Sequence, residues 1–304
     1  LTELTHSGTG RFAWLTMRPM SLWESGDSNG SVSLNSLFQG NMTPVVSRDI
    51  SLKELAFLIC RGGWPGSLSL TPKAALRQAA NYVDSVANSD ISRVDDVSRN
   101  AEFTRRLLRS YARHQGAQVS VNTIYDDLEK NRMGSMSEDT IASYIVALKK
   151  IFVIEDMPAW SPNLRSKTAI RTSDTRYFVD SSIAAAALGL GPEDLIGDLN
   201  TFGLLFETMV VRDLRVYADA LDGQVYHYRD KNGLECDAVV HLRNGCFGLI
   251  EIKLGSDRLI ESGAHTLKRL SDKIDTTRMK SASFLMVITG QGQYAYRRED
   301  GVYV

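Results

Sequence analysis

Apolar positions along the chain fall into two rhythms. From residue 51 to residue 221 they recur mostly at helical spacing. From 225 to 254, and again from 283, they alternate or run together as in strands. Ser51 followed by Glu54 reads as a capping box opening a helix to about Cys60. Thr71-Pro72 starts another, with Ala75, Leu76, Ala79, Tyr82 and Val83. Three more are predicted next: 103–113 with Leu107, Leu108 and Tyr111 inward, 121–128 with Ile124 and Leu128 inward, and one capped by Ser137. Ile141, Ile145, Leu148 and Phe152 form the stripe of the last. An alanine-rich helix spans 181–191, a turn follows Pro192, and 201–221 is a strong helix pattern. Three short strands are predicted at 225–229, 234–242 and 247–254, separated by Lys231-Asn232-Gly233 and Asn244-Gly245. A helix at 258–274, a buried strand at 283–289 and a closing hairpin at 294–304 complete the chain. Before residue 51 the pattern is weak: Phe12 and Trp14 alternate as in a strand that Pro19 ends, 21–25 starts a short helix, and Asp27–Gly30 is turn chemistry.

The third strand carries the candidate chemistry. Leu249, Ile250, Ile252 and Leu254 are apolar, but Glu251 and Lys253 interrupt them at i, i+2, so both leave one face of the sheet. The preceding hairpin can bring Asp237 near that face. Carboxylates and a lysine on an apolar sheet are costly to bury unless they pair or bind a cation. Mg²⁺ takes oxygen ligands and keeps several waters, which suits Asp237 and Glu251. Lys253 would orient or help deprotonate an attacking water, or neutralise charge growing on a phosphate. Glu207 stands on the 201–221 helix, on a face with Leu204, Val211 and Leu214. Against this, an E-x-K in a strand is ordinary in itself and gains meaning only from its context.

The order of these residues resembles the PD-(D/E)XK nuclease superfamily, whose core is a helix, a three-stranded meander, a helix and a further strand. The match runs Glu207, then Asp237, then Glu251-Ile252-Lys253. The resemblance implies that Asp237 and Glu251, supported by Glu207, hold Mg²⁺ or Mn²⁺, that the Ile252 carbonyl adds a ligand, and that Lys253 assists the water. Cys236 stands where the superfamily's name-giving proline would be. A wider resemblance covers nearly the whole chain. GRFAWLTMRPMSLWESG and RGGWP, then YFVDSSIAAAALG, FGLLFETMVVRDL, HYRDKNGLECDAVV and IEIKLG, resemble in order the C-terminal part of uncharacterised prokaryotic AAA+ ATP-binding proteins. These carry a C-terminal domain of unknown function, built from a winged helix and a PD-(D/E)XK-like domain. The expected fold is therefore mixed, α/β in its last domain and α+β overall. It comprises an AAA+-lid-like helical remnant and linker (1–102), a winged helix-turn-helix (103–180) and an αβββαβ nuclease-like domain (181–304). A P-loop needs GxxxxGK[ST], and the sequence has no Gly-Lys dipeptide. ATP is expected only in a longer protein carrying that motif, and the opening at Leu1 is read as that of a fragment, a processed product or a chain with further residues before it.

A winged helix can contact nucleic acid. Glu138 and Asp139 at the start of its third helix suit the helix dipole but suit a phosphate-lined groove poorly. The basic residues lie elsewhere: Arg105, Arg106, Arg109 and Arg113 on the first helix, Lys149 and Lys150 at the end of the third, and Arg165, Lys167 and Arg171 in the wing loop. Of these, Arg105, Arg109, Lys149, Arg165, Lys167 and Arg171 are the candidate backbone contacts to nucleic acid, with DNA the expected partner. A solvated charged face is the alternative. Arg61-Gly62-Gly63-Trp64-Pro65 reads as a sharp turn between helices.

Composition adds bounds. The 304 residues carry a formal net charge of −1, so any basic surface must be local. Three cysteines without a CxxC, Cys60, Cys236 and Cys246, and five scattered histidines give no zinc or disulfide framework. No signal peptide and no apolar run of membrane-spanning length is evident, so a cytoplasmic location is expected. Three functions are consistent with these features: a metal-dependent nuclease, a non-catalytic DNA- or protein-binding module regulated by an ATPase half, and an interaction protein that oligomerises through residues 1–100.

Overall fold

The computed structural model describes residues 10–11, 15–48, 50–95, 97–129, 137–162 and 173–304. The protein is a mixed helix-and-sheet structure in which a helical body precedes a four-stranded sheet. Phe12 and Trp14 lie outside the described residues. Residues 15–18 have no regular structure, and 22–26 form turns rather than the start of a helix. After a short helix α1 (Leu34–Phe38) and strand β1 (Val45–Val46), helix α2 (Leu52–Arg61) opens the helical body. Ser51 Oγ accepts from Glu54 N, but the Glu54 carboxylate turns outward to Arg48 instead of closing a capping box. Gly62 ends α2 with a φ of 74°. Helix α3 (Pro72–Ser85) begins with proline at its first turn and runs through a widened turn to residue 93.

Helices α4 (Ala101–Arg113), α5 (Val121–Glu129) and α6 (Glu138–Lys150) follow. Leu107, Leu108, Tyr111, Ile124, Ile141 and Leu148 are buried where the periodicity placed them. Phe152 is a correction. The apolar stripe of α6 ends with the helix; Phe152 adopts a left-handed φ of 57° and is 63% exposed. From there the backbone makes antiparallel bridges, Ile154 to Phe178 and Met157 to Thr175. Ala159 then pairs with His227 on the edge of the main sheet. Helix α7 (Ser181–Leu188) packs against α2, α3 and α4, and α8 (Pro192–Gly197), a helix where a turn was expected, packs against α2.

The rest is an αβββαβ unit. Helix α9 (Leu199–Asp219) leads into β2 (Gly223–Arg229), β3 (Glu235–Leu242) and β4 (Phe247–Lys253), an antiparallel meander. Helix α10 (Asp257–Lys273) crosses over to β5 (Phe284–Thr289), parallel to β4. The sheet order is β2-β3-β4-β5, with α9 and α10 on opposite faces. The closing hairpin forms between Tyr296 and Val304, and Tyr303 also bridges Met286. Strand β6 (Tyr294–Ala295) pairs with β1 at the other end of the sequence.

A buried ionic cluster joins these parts. Arg212 on α9 donates to Asp180 Oδ2 at 2.8 Å and to Asp213 Oδ1 at 2.7–2.9 Å, and is 1% exposed. Asp180 also accepts from Gly63 N, Ser182 N and Ser182 Oγ, and Asp213 accepts from Leu22 N. Burial disfavours the Asp180 charge, but Arg212 and these donors outweigh it and hold its pKa below the carboxylate norm. Removing one partner of such a cluster leaves uncompensated buried charge. Arg212→Met should therefore destabilise the protein by about 3–5 kcal/mol, read as a lower urea midpoint. A midpoint equal to the wild type would show that the cluster contributes no net stability.

Candidate functional site

The site is built on the two central strands. Opposite His227 of β2, strand β3 has one residue too many: Tyr226 faces Val239 while Tyr228 faces Cys236. Asp237 and Ala238 share that bulge, and regular pairing of β3 with β4 stops at Ala238 and Ile250. A bulge re-aims side chains and interrupts a ladder. Here the Asp237 carboxylate accepts the next β4 backbone donor, Ile252 N, at 2.8 Å. The same oxygen, Oδ2, accepts from Lys253 Nζ at 2.9 Å. Lys253 Nζ also lies 2.6 Å from Glu251 Oε2. The Asp237, Glu251 and Lys253 cluster expected from the i, i+2 spacing and the hairpin is thus assembled. The thiol of Cys236, in the position before the aspartate, is buried and donates to the Ala238 and Ile250 carbonyls.

Glu251 is almost completely buried, Asp237 and Lys253 only partly. Gly263 on α10 explains this depth. A Cβ there would stand 3.3 Å from Glu251 Cβ and 3.2 Å from Val287, so glycine lets the helix settle over the glutamate. Burial, and then the Asp237 charge, push the Glu251 carboxyl up to about 7 despite Lys253. Lys253 is held above its ordinary pKa: burial works against its charge, but the two carboxylates outweigh it.

Glu207 reaches the cluster from α9. Of its expected face, Val211 and Leu214 are buried, while Leu204 is 40% exposed. Tyr177, fully buried in the segment before α7, donates its hydroxyl to Glu207 Oε1. Gly116, with a φ of +70°, covers the same oxygen so closely that a Cβ would lie 2.9 Å away. Burial first, then the Asp237 charge, push the Glu207 carboxyl up to about 8; Tyr177 and Lys253 oppose this. Tyr177 is a site residue that residue spacing did not single out. Its one sequence signal was a place inside the YFVDSSIAAAALG landmark. The Arg215 guanidinium lies 5.7 Å over its ring and fixes it from behind.

The Asp237 and Glu251 carboxylate oxygens are the donor type that a hard divalent cation takes. Asp237 uses only Oδ2 in its bonds, and Mg²⁺ needs only one or two carboxylates besides water. Among the described residues, no three His, Cys, Asp or Glu side chains converge as a ready-made cage.

The expected nucleic-acid contacts are not equivalent. Arg105 is engaged by Asp84 and Asn88 of the α3 region, and Lys149 by Asp156, which also pairs with Arg176. Arg109 is exposed and makes no ion pair among the described residues. Arg165, Lys167 and Arg171 lie outside the described residues.

Residues 52–194 match the family model of a domain of unknown function, DUF8612, and residues 202–304 match that of a second, DUF4143. The second match contains Glu207, Asp237, Glu251 and Lys253; the first contains Gly116 and Tyr177. No curated protein and no solved structure matches the chain. Among the described residues, no helix is long and apolar enough to cross a membrane.

The two raised carboxyls set a pH dependence. A carboxyl whose folded pKa is raised takes up protons on folding, so its contribution is fully present below the unfolded pKa and is lost as pH rises through the folded one. For Glu207 that window runs from about 4.5 to about 8. Glu207→Gln should therefore be increasingly more stable than wild type as pH rises from 5 to about 9, by chemical denaturation at each pH. A constant difference across the range would mean that Glu207 does not titrate there.

Proposed function

We propose that this protein hydrolyses nucleic-acid phosphodiesters with the help of Mg²⁺ or Mn²⁺. The supporting observation is the Asp237–Glu251–Lys253 cluster at the bulged end of two adjacent strands, on a helix–meander–helix–strand core that carries Glu207. Asp237 and Glu251 would hold the ion, with Glu207 supporting it or a water on it. When bound, the ion would polarise the phosphate and lower the pKa of a water. Tyr177 keeps one Glu207 oxygen occupied and so orients the other. Lys253, held as an ammonium, serves as donor to charge growing on a phosphate oxygen or positions the water, rather than as a base. The chain is read as part of an AAA+ family ATP-binding protein, because the DUF4143 domain is known to accompany AAA-type ATPase regions.

One observation favours a second reading. Lys253 already satisfies both carboxylates, as in a structural salt bridge. The protein would then bind DNA or a protein partner without cutting, under control of an ATPase half.

Cleavage of plasmid and single-stranded oligonucleotides with Mg²⁺, Mn²⁺ or EDTA separates the two. Metal-dependent cutting that Lys253→Ala loses by ~100-fold or more is expected, the scale of an oxyanion-stabilising donor. No cutting by wild type with either metal would favour the binding module. In parallel, Mn²⁺ at ~100 times its Kd should stabilise the wild type by ~2.7 kcal/mol in thermal unfolding. Asp237→Ala and Glu251→Ala should lose that gain, and an equal response from all three would remove the metal site.

A further inference from the structure

Three arginines of α4 that the catalytic cluster does not use stand on one side of the helix. Arg106, Arg109 and Arg113 are spaced i, i+3, i+7 and span about 10 Å along the axis. They line a surface cleft of about 460 Å³. Arg109 and Arg113 also border a neighbouring cleft of about 380 Å³, which Leu188, Leu190, Leu204 and Leu205 line together with Thr201. Their charges are weakly committed. Arg106 pairs at 3.2 Å with an exposed Glu102, and Arg113 lies 3.4 Å from an Asp127 already bonded to Ser110 and His114. Arg109 makes no ion pair among the described residues.

The elements that line the two clefts also lead to one candidate catalytic residue, Glu207. Leu204 is one helical turn before Glu207 on α9. Gly116, which covers Glu207 Oε1, comes three residues after Arg113.

We propose that this face of α4 holds single-stranded nucleic acid, its phosphates on Arg106, Arg109 and Arg113 and an unpaired base against Leu188, Leu190 and Leu204. This rests on the nucleic-acid reading above and names its substrate class. A charged wall beside an apolar one matches a strand whose phosphates and bases are both accessible. A duplex keeps its base faces stacked inside and would use only the arginines. Of the contacts expected from the sequence the surface keeps Arg109, and it leaves aside Arg105 and Lys149, which are committed to Asp84 and Asp156.

The test is fluorescence anisotropy of the full chain with a labelled single-stranded DNA and with its duplex, in EDTA so that binding is read apart from cleavage. Wild type should prefer the single strand. Arg109→Ala and Arg113→Ala, both at exposed positions, should each weaken it ~5–10-fold and lower the log–log salt slope by ~0.7. Leu204→Ala should weaken the single strand ~4-fold or more while leaving the duplex unchanged, the scale of one lost methylene contact. Arg93→Ala, an exposed arginine elsewhere, should bind as wild type. No binding by wild type, equal binding of duplex, or an Arg109 variant no weaker than Arg93→Ala would each overturn the proposal. A strand held through these arginines but never cut would support the surface and sink the hydrolase reading.

Discussion

The structure depends on Arg212 being buried without being left alone. Its guanidinium, on α9, takes one carboxylate from its own helix and one from the start of α7. Those carboxylates in turn hold the backbone of Gly63 and Leu22. One side chain therefore fixes the entry segment, the turn after α2, the start of α7 and α9 relative to one another. Buried charge is tolerated only where every partner is in place, so these four segments are ordered together. Gly62 shows how tight the arrangement is: a Cβ there would fall 2.4 Å from Asp180 Oδ1. The turn read in the sequence as a plain connection between helices is thus part of the ionic core.

The same helix carries Glu207 less than two turns before Arg212, so the ionic core also sets where that carboxylate points. Tyr177 and Gly116 approach it from the helical body, while Asp237 and Lys253 approach through the sheet. The candidate site is consequently shared. Its strand residues are local to the meander, but the groups that enclose the Glu207 carboxylate come from sequence about 90 and 30 residues earlier.

Much of this was legible in the sequence because it depends on short-range periodicity. Glu251 and Lys253 had to share a face at i, i+2, and the hairpin turns brought Asp237 near them. Apart from the short α1 and α8, the helices were readable from their caps and stripes, within about three residues. What escaped depends on distant partners. The bulge at Asp237 exists only against His227 of another strand. Tyr177 has no local feature that announces a partner thirty residues away. Phe152 continued an apolar stripe, but the helix had already ended and the backbone turned it outward. Arg105 and Lys149 looked like free charges because the acids that hold them, Asp84 and Asp156, stand on other elements.

The pairing of Val45–Val46 with Tyr294–Ala295 joins the two ends of the described chain across almost 250 residues. The pair is contained in neither matched region: β1 precedes the first, which begins at 52, and its partner β6 belongs to the second. Leu55, from the first region, packs within 3 Å of where a Cβ on Gly290 would stand, in the second. Descent and folding have therefore drawn their borders in different places. The segments that recur together as sequence are not the segments that become solid together, and the seam between them is sewn shut by a strand that neither region owns.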